Sequence, residues 1–174
     1  GLHDPVGVRA LVIGDGTTTA ALVSCDLLIV DEPLFDAVRQ RLLAQGMPPN
    51  LVLLLAATHT HSGPGAYGRK FLEKLSMGHF DPRVFEAIVQ HIVHAVLQAY
   101  AVSSPIRIAV QSVMTKGLVM NRVHPDGMAD NELTVCAFYH EGERQPFVVV
   151  VGFAAHPTTL GAWNRAVSAD YPGV

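Results

Sequence analysis

Leu51-Val52-Leu53-Leu54-Leu55-Ala56-Ala57 is an unbroken apolar run that passes directly into Thr58-His59-Thr60-His61-Ser62-Gly63-Pro64-Gly65. A short apolar stretch without alternation reads as a strand buried on both faces between helices. A second such run, Phe147 to Ala155, ends in His156-Pro157. Outward from these two runs the other elements follow. Val8 to Ile13 and Ala20 to Cys25 are strand-like and are joined by Gly14-Asp15-Gly16-Thr17-Thr18-Thr19, which predicts a β-hairpin. Glu32 to Ala44 spaces Leu34, Val38 and Leu42 as one helical face and is stopped by Gly46 and Pro48-Pro49. Pro82 to Tyr100, opened by Asp81, spaces Phe85, Ile88, Ile92 and Val96 in the same way. Ile106 to Val113 and Leu133 to His140 alternate as strands around a polar loop that holds Asn121-Arg122-Val123-His124-Pro125-Asp126-Gly127. Strands interleaved with helices predict an α/β layered domain with mixed β-sheet flanked by helices.

Composition narrows the function classes. The chain has 174 residues, 49% hydrophobic and 16% charged, enough for a sizeable core in one domain. Its formal net charge of -3 offers no basic footprint for nucleic acid. No apolar run approaches the roughly 20 residues of a membrane-spanning helix. Cys25 and Cys136 each lie in an apolar stretch and read as buried thiols rather than a disulfide or a zinc site. The opening Gly1-Leu2-His3-Asp4 and the closing Ala169-Asp170-Tyr171-Pro172-Gly173-Val174 both read as internal to a longer protein, with Asp170 placed to cap a helix entering near Pro172.

The chemistry gathers where apolar strands end. Asp26 follows the first pair, His59 and His61 follow the central run, and His156 follows the last. Sites in α/β sheets lie outside the carboxyl ends of strands, so these side chains are candidates for one rim. Strand alternation would put His59 and His61 on one face, about 6.5 to 7 Å apart. Neutral imidazoles suit zinc, which lowers the pKa of a bound water to about 7. A lone histidine is more often solvated or structural, and His3, His79, His91, His94, His124 and His140 read so. Gly63-Pro64-Gly65-Ala66-Tyr67-Gly68 matches G-x-G-x-x-G, but a polar segment separates it from the strand and Pro64 lacks an amide donor. Its glycines read instead as places where backbone approaches a substrate or metal closely. Neither G-x-S-x-G nor H-E-x-x-H is present; Ser62 is the remaining candidate nucleophile.

Several of these segments together resemble the neutral (alkaline, non-lysosomal) ceramidase family. They are Gly1-Leu2-His3, Val23-Ser24-Cys25-Asp26, Ala57-Thr58-His59-Thr60-His61-Ser62-Gly63-Pro64-Gly65, Asn121-Arg122, Ala155-His156-Pro157-Thr158-Thr159-Leu160-Gly161 and Ser168-Ala169-Asp170-Tyr171-Pro172-Gly173, in the family's order. The resemblance implies that residues 1–174 are part of a single catalytic zinc-hydrolase domain whose remainder, with a C-terminal domain, lies outside them. It implies cleavage of the amide of an N-acyl lipid such as ceramide to a fatty acid and an amine, with Zn2+ as cofactor. By position it makes His59 and His156 zinc ligands, His61 a catalytic histidine at the reacting amide and Arg122 a catalytic arginine holding the substrate. Ser62, Gly63 and Asn121 become substrate-contacting candidates, and Asp26 a carboxylate that orients a histidine from behind or else caps the following segment. The family's remaining zinc ligands, a glutamate and a tyrosine, have no counterpart in this chain. Val123-His124-Pro125-Asp126-Gly127 also departs from the family's Arg-Ser-Pro run.

Two rival readings follow from the residues. An amidohydrolase-type metal hydrolase also ends a strand in His-x-His, but it needs a barrel of about 250 residues with the motif on an early strand. A non-catalytic carbohydrate- or lipid-binding module would keep its function in a chelator, whereas a metal hydrolase would not. The residues leave the compartment open; the resemblance implies a secreted or periplasmic one.

Overall fold

A computed structural model describes residues 1–173 as two compact units, Gly1–Val102 with the segment from Pro157 onward, and Ser103–His156. The first unit holds strands β1 (Val8–Gly14) and β2 (Thr19–Cys25), helix α1 (Glu32–Ala44), strand β3 (Val52–Ala57), and helices α2 (Phe71–Met77) and α3 (Pro82–Tyr100). Its sheet is mixed, in the order β1-β2-β3. β1 and β2 form the expected antiparallel hairpin, with Gly14 opposite Thr19, and β2 runs parallel to β3 with Cys25 opposite Ala57. α1 makes the crossover that a parallel pair requires. The second unit is a three-stranded antiparallel sheet, β4 (Ile106–Met114), β5 (Glu132–His140) and β6 (Val148–Phe153), in that order. The α/β class and the mixed sheet are as the sequence predicts.

Both long helices begin where their capping chemistry lies. The Asp31 carboxylate accepts from Leu34 N at 3.0 Å ahead of Pro33, and Asp81 accepts from Arg83 N at 2.8 Å ahead of Pro82. Leu34, Val38 and Leu42 of α1 meet Val89, Ile92 and Val96 of α3 in a core with Ala21, Val23 and Cys25 of β2. Arg41 and Glu86 close the outer seam of the two helices at 2.8 Å, a solvent-exposed pair that water and salt screen.

The central apolar strand departs from its expected burial. Along β3, Val52 and Leu54 are 55% and 59% exposed while Leu53 and Leu55 pack on the core. β6 behaves likewise, with Val149 and Val151 exposed. Each is the outer strand of a three-stranded sheet. An apolar sequence does not tell which of its faces is covered; in β3 burial alternates because Leu53 and Leu55 alone meet the packed core. Cys25 is fully buried, whereas Cys136 is only half-buried.

Candidate functional site

The segment that leaves β3 is carried along the backbone beyond β2. Thr58 N donates to Cys25 O at 2.8 Å and His59 N to Leu27 O at 3.0 Å. His59 then takes a φ of 67°, the left-handed region that non-glycine residues enter sparingly. His59 and His61 therefore sit on a turn and are not related by strand alternation, which corrects the expected 6.5 to 7 Å spacing. Their rings meet edge to face, with centroids 5.0 Å apart at 87°, and their candidate ligand nitrogens lie within 4.8 Å. His59 Nδ1 lies 2.6 Å from Leu28 O. A carbonyl oxygen only accepts, so Nδ1 carries the proton and Nε2 carries the lone pair that a metal takes.

Thr60, between the two histidines, is fully buried. Its hydroxyl donates to Ser168 O at 2.8 Å and accepts from Ser62 N at 3.2 Å. Ser62 is bound at its carbonyl by Ser168 N and at its hydroxyl oxygen by Asn164 Nδ2, both at 2.9 Å. That hydroxyl is thus held by an amide donor. The Ser168 hydroxyl donates to Asp4, whose other carboxylate oxygen takes Ala169 N at 2.7 Å. Asp170, at a φ of 57°, accepts from Tyr171 N at 2.7 Å, so it does cap the short 3-10 turn Tyr171–Gly173. It also accepts from the Thr159 hydroxyl and from Leu160 N at 3.1 Å, just beyond His156 in the chain. Burial pushes the Asp170 pKa up, but the Thr159 hydroxyl and the amides around it outweigh that and hold it below the usual carboxylate range.

Asp26 is buried, and its carboxylate accepts from Gly7 N at 2.8 Å, Arg9 Nη1 at 3.0 Å and the Thr58 hydroxyl at 3.4 Å. It reaches the histidine turn through Thr58. The neighbouring Cys25 thiol is pushed up to about 12, by burial first and by the Asp26 charge second. The glycines that follow the histidines serve packing within the chain. A Cβ on Gly63 would lie 2.9 Å from Thr60 Cγ2 and 3.0 Å from Asp26 O, and one on Gly65 would overlap Met77 O at the end of α2.

The other expected site residues lie in the second unit. His156 is exposed and stands three residues beyond the end of β6. Asn121 shapes its loop, accepting from Val123 N and His124 N at 3.0 Å and donating to Met128 O at 3.1 Å. Arg122 is exposed on that loop. The first unit thus gathers Asp26, His59, His61, Ser62 and Gly63, and the second carries Asn121, Arg122 and His156.

Residues 1–174 match the family model described as neutral/alkaline non-lysosomal ceramidase, N-terminal. The chain belongs to the neutral/alkaline non-lysosomal ceramidase family. It is similar to the neutral ceramidase of Pseudomonas aeruginosa, 29% identical over 99% of this chain and 28% of that protein. It is equally similar to the neutral ceramidase of Mycobacterium tuberculosis, 29% identical over 99% of this chain and 30% of that protein. A crystal structure of the Pseudomonas aeruginosa neutral ceramidase superposes with a TM-score of 0.88 at 28% identity, covering 99% of this chain and 30% of that one. A structure described as ceramidase complexed with C2 gives 0.86 at 28% identity, covering 95% and 28%. The chain spans under a third of the length of these relatives.

Within this ceramidase-family chain, the sequence reading passed over Thr60, Asn164, Ser168 and the main work of Asp170. The signal for Thr60 was a hydroxyl residue confined between two histidines. Its partner lies 108 residues away, at a spacing no local pattern encodes.

Proposed function

We propose that the chain carries the histidine-bearing part of a zinc-dependent amide hydrolase that cleaves an N-acyl sphingolipid such as ceramide, or a similar small-molecule or lipid N-acyl substrate. The observation that carries this reading is the His59–His61 pair at the end of β3, whose rings meet edge to face at 5.0 Å with His59 Nδ1 held 2.6 Å from Leu28 O. Two imidazoles with nitrogens within 4.8 Å suit zinc by donor type. Membership of the ceramidase family supports the reaction class.

In this reading His59 and His156 hold the metal, and the remaining ligands come from outside this chain. The metal, when bound, polarises the amide carbonyl and acidifies water. In the overall reaction the acyl C–N bond breaks, the water oxygen becomes part of the fatty acid, and its proton reaches the departing amine. In this reading His61, beside His59, passes that proton. Arg122, with five fixed N–H donors and no acceptor, binds the oxygen-bearing head of the substrate. Ser62, Gly63 and Asn121 act by shaping the loops on which these groups stand, and Asp26 by holding Thr58 at the foot of the histidine turn. No helix among the described residues is long and apolar enough to cross a membrane.

The test is zinc content and N-acyl sphingosine hydrolysis, measured on this chain and on the full-length protein, each as wild type, His59→Ala and His156→Ala. Stoichiometric zinc and hydrolysis at full length, both lost in either variant and in chelator, are expected. Zinc-free, inactive full-length protein would overturn the reading.

A further inference from the structure

α2 carries its apolar residues outward. Phe71, Leu72 and Leu75 are 74%, 74% and 69% exposed, while Met77 packs inward. At 3.6 residues per turn the three exposed side chains fall on one stripe about 100° wide. This is not a fraying end. Ala66 N donates to Met77 O at 2.7 Å, Asp81 N donates to Ala66 O at 2.7 Å, and the backbone of Gly65 lies against Met77 O. The C-terminal end of the helix is thereby fixed to the glycine turn that follows His61.

Charge completes the surface. Lys70 and Lys74 are exposed along one flank of the stripe. Glu73, the one acid of the helix, has its carboxylate turned back to Lys70 N at 2.7 Å. Three apolar side chains bordered by two ammonium groups on flexible stems suit a boundary where acyl chains meet anionic headgroups, the stems lying along the apolar layer and the charges at its edge. A second copy of this chain fits worse. An antiparallel two-fold contact through the stripe would set the lysines of both copies side by side, and in any pairing three side chains fall far short of the roughly 1,200 Å² of a stable interface.

We propose that α2 is a docking element for a lipid surface bearing anionic headgroups, presented on the segment that leaves the histidine turn. The inference goes beyond the hydrolase reading and needs no metal.

Co-sedimentation of the chain with vesicles tests it, using phosphatidylcholine alone and an equal mixture with phosphatidylglycerol. The chain is expected to partition onto the mixed vesicles. Combined Phe71→Ser, Leu72→Ser and Leu75→Ser should abolish partitioning while leaving the unfolding temperature unchanged, because these side chains already face water. Leu72→Ser alone should give an intermediate loss and serves if the triple variant misfolds. Lys70→Gln and Lys74→Gln should each weaken binding to the mixed vesicles roughly fivefold, and less at high salt. His59→Ala should bind as wild type, which separates this proposal from the metal reading. Absence of binding to either vesicle, unchanged binding by the triple variant, or self-association that the triple variant abolishes without any vesicle binding would each overturn it.

Discussion

The hydroxyl of Thr60 donates to the carbonyl of Ser168 across 2.8 Å of space and 108 residues of chain. Through this bond the turn that carries His59 and His61 is fastened to the segment that also receives Asp4 and, through Asp170, the backbone just beyond His156. A site assembled from distant loops depends on such fastenings for its precision.

Thr60→Val keeps the shape and removes the hydroxyl, leaving Ser168 O and Ser62 N without that partner in a fully buried position. The expected loss is about 1–3 kcal/mol of stability by urea unfolding, and Thr60→Ser should recover most of it.

Leu42→Ala opens a cavity where α1 packs into the core; the side chain is fully buried. Its cost should be about 2–5 kcal/mol, against less than about 0.5 for Arg39→Ala on the exposed face of the same helix.

Acid should weaken the fold through Asp170. Its carboxyl is held below the usual carboxylate range in the folded chain, where the Thr159 hydroxyl and three amides outweigh its burial, so the folded state binds fewer protons than the unfolded one. The stability it contributes is fully present above the unfolded value and is lost as pH falls through the folded one. Urea midpoints measured from pH 7 to pH 3 should fall toward the acid end, and the gap between wild type and Asp170→Asn should narrow over the same range.

The two thiols should separate by reactivity. Cys25, fully buried and pushed up to about 12, should resist a thiol reagent at pH 8 until the chain unfolds, whereas half-buried Cys136 should be labelled in the native protein. Mass spectrometry of peptides after timed labelling checks the assignment; early modification of Cys25 would contradict the packing of β2 against α3.

Legibility in the sequence followed the range of the physics. α1 and α3 were readable because Gly46 and Pro48-Pro49 stop the one and Asp81 with Pro82 opens the other, signals that act within one turn. α2 was not, since its apolar residues face water and leave no inward periodicity to detect. The strands were readable from composition, but the exposed faces of β3 and β6 were not, because coverage is a property of neighbours and not of the strand. The candidate site divides the same way. His59, His61 and His156 announce themselves by residue type after apolar runs, while the left-handed turn at His59 and the partner of Thr60 arise from tertiary contacts alone.

β3 ends its sheet, and among the described residues no further strand pairs along its outer side. That side offers a row of backbone donors and acceptors beside Val52 and Leu54, and Val52–Ala57 contains neither a charge nor a proline. Strands of this kind recruit like strands. In a concentrated preparation this margin is where two copies of the chain can pair, and Leu54→Lys, which puts a charge on its exposed face, should slow their association.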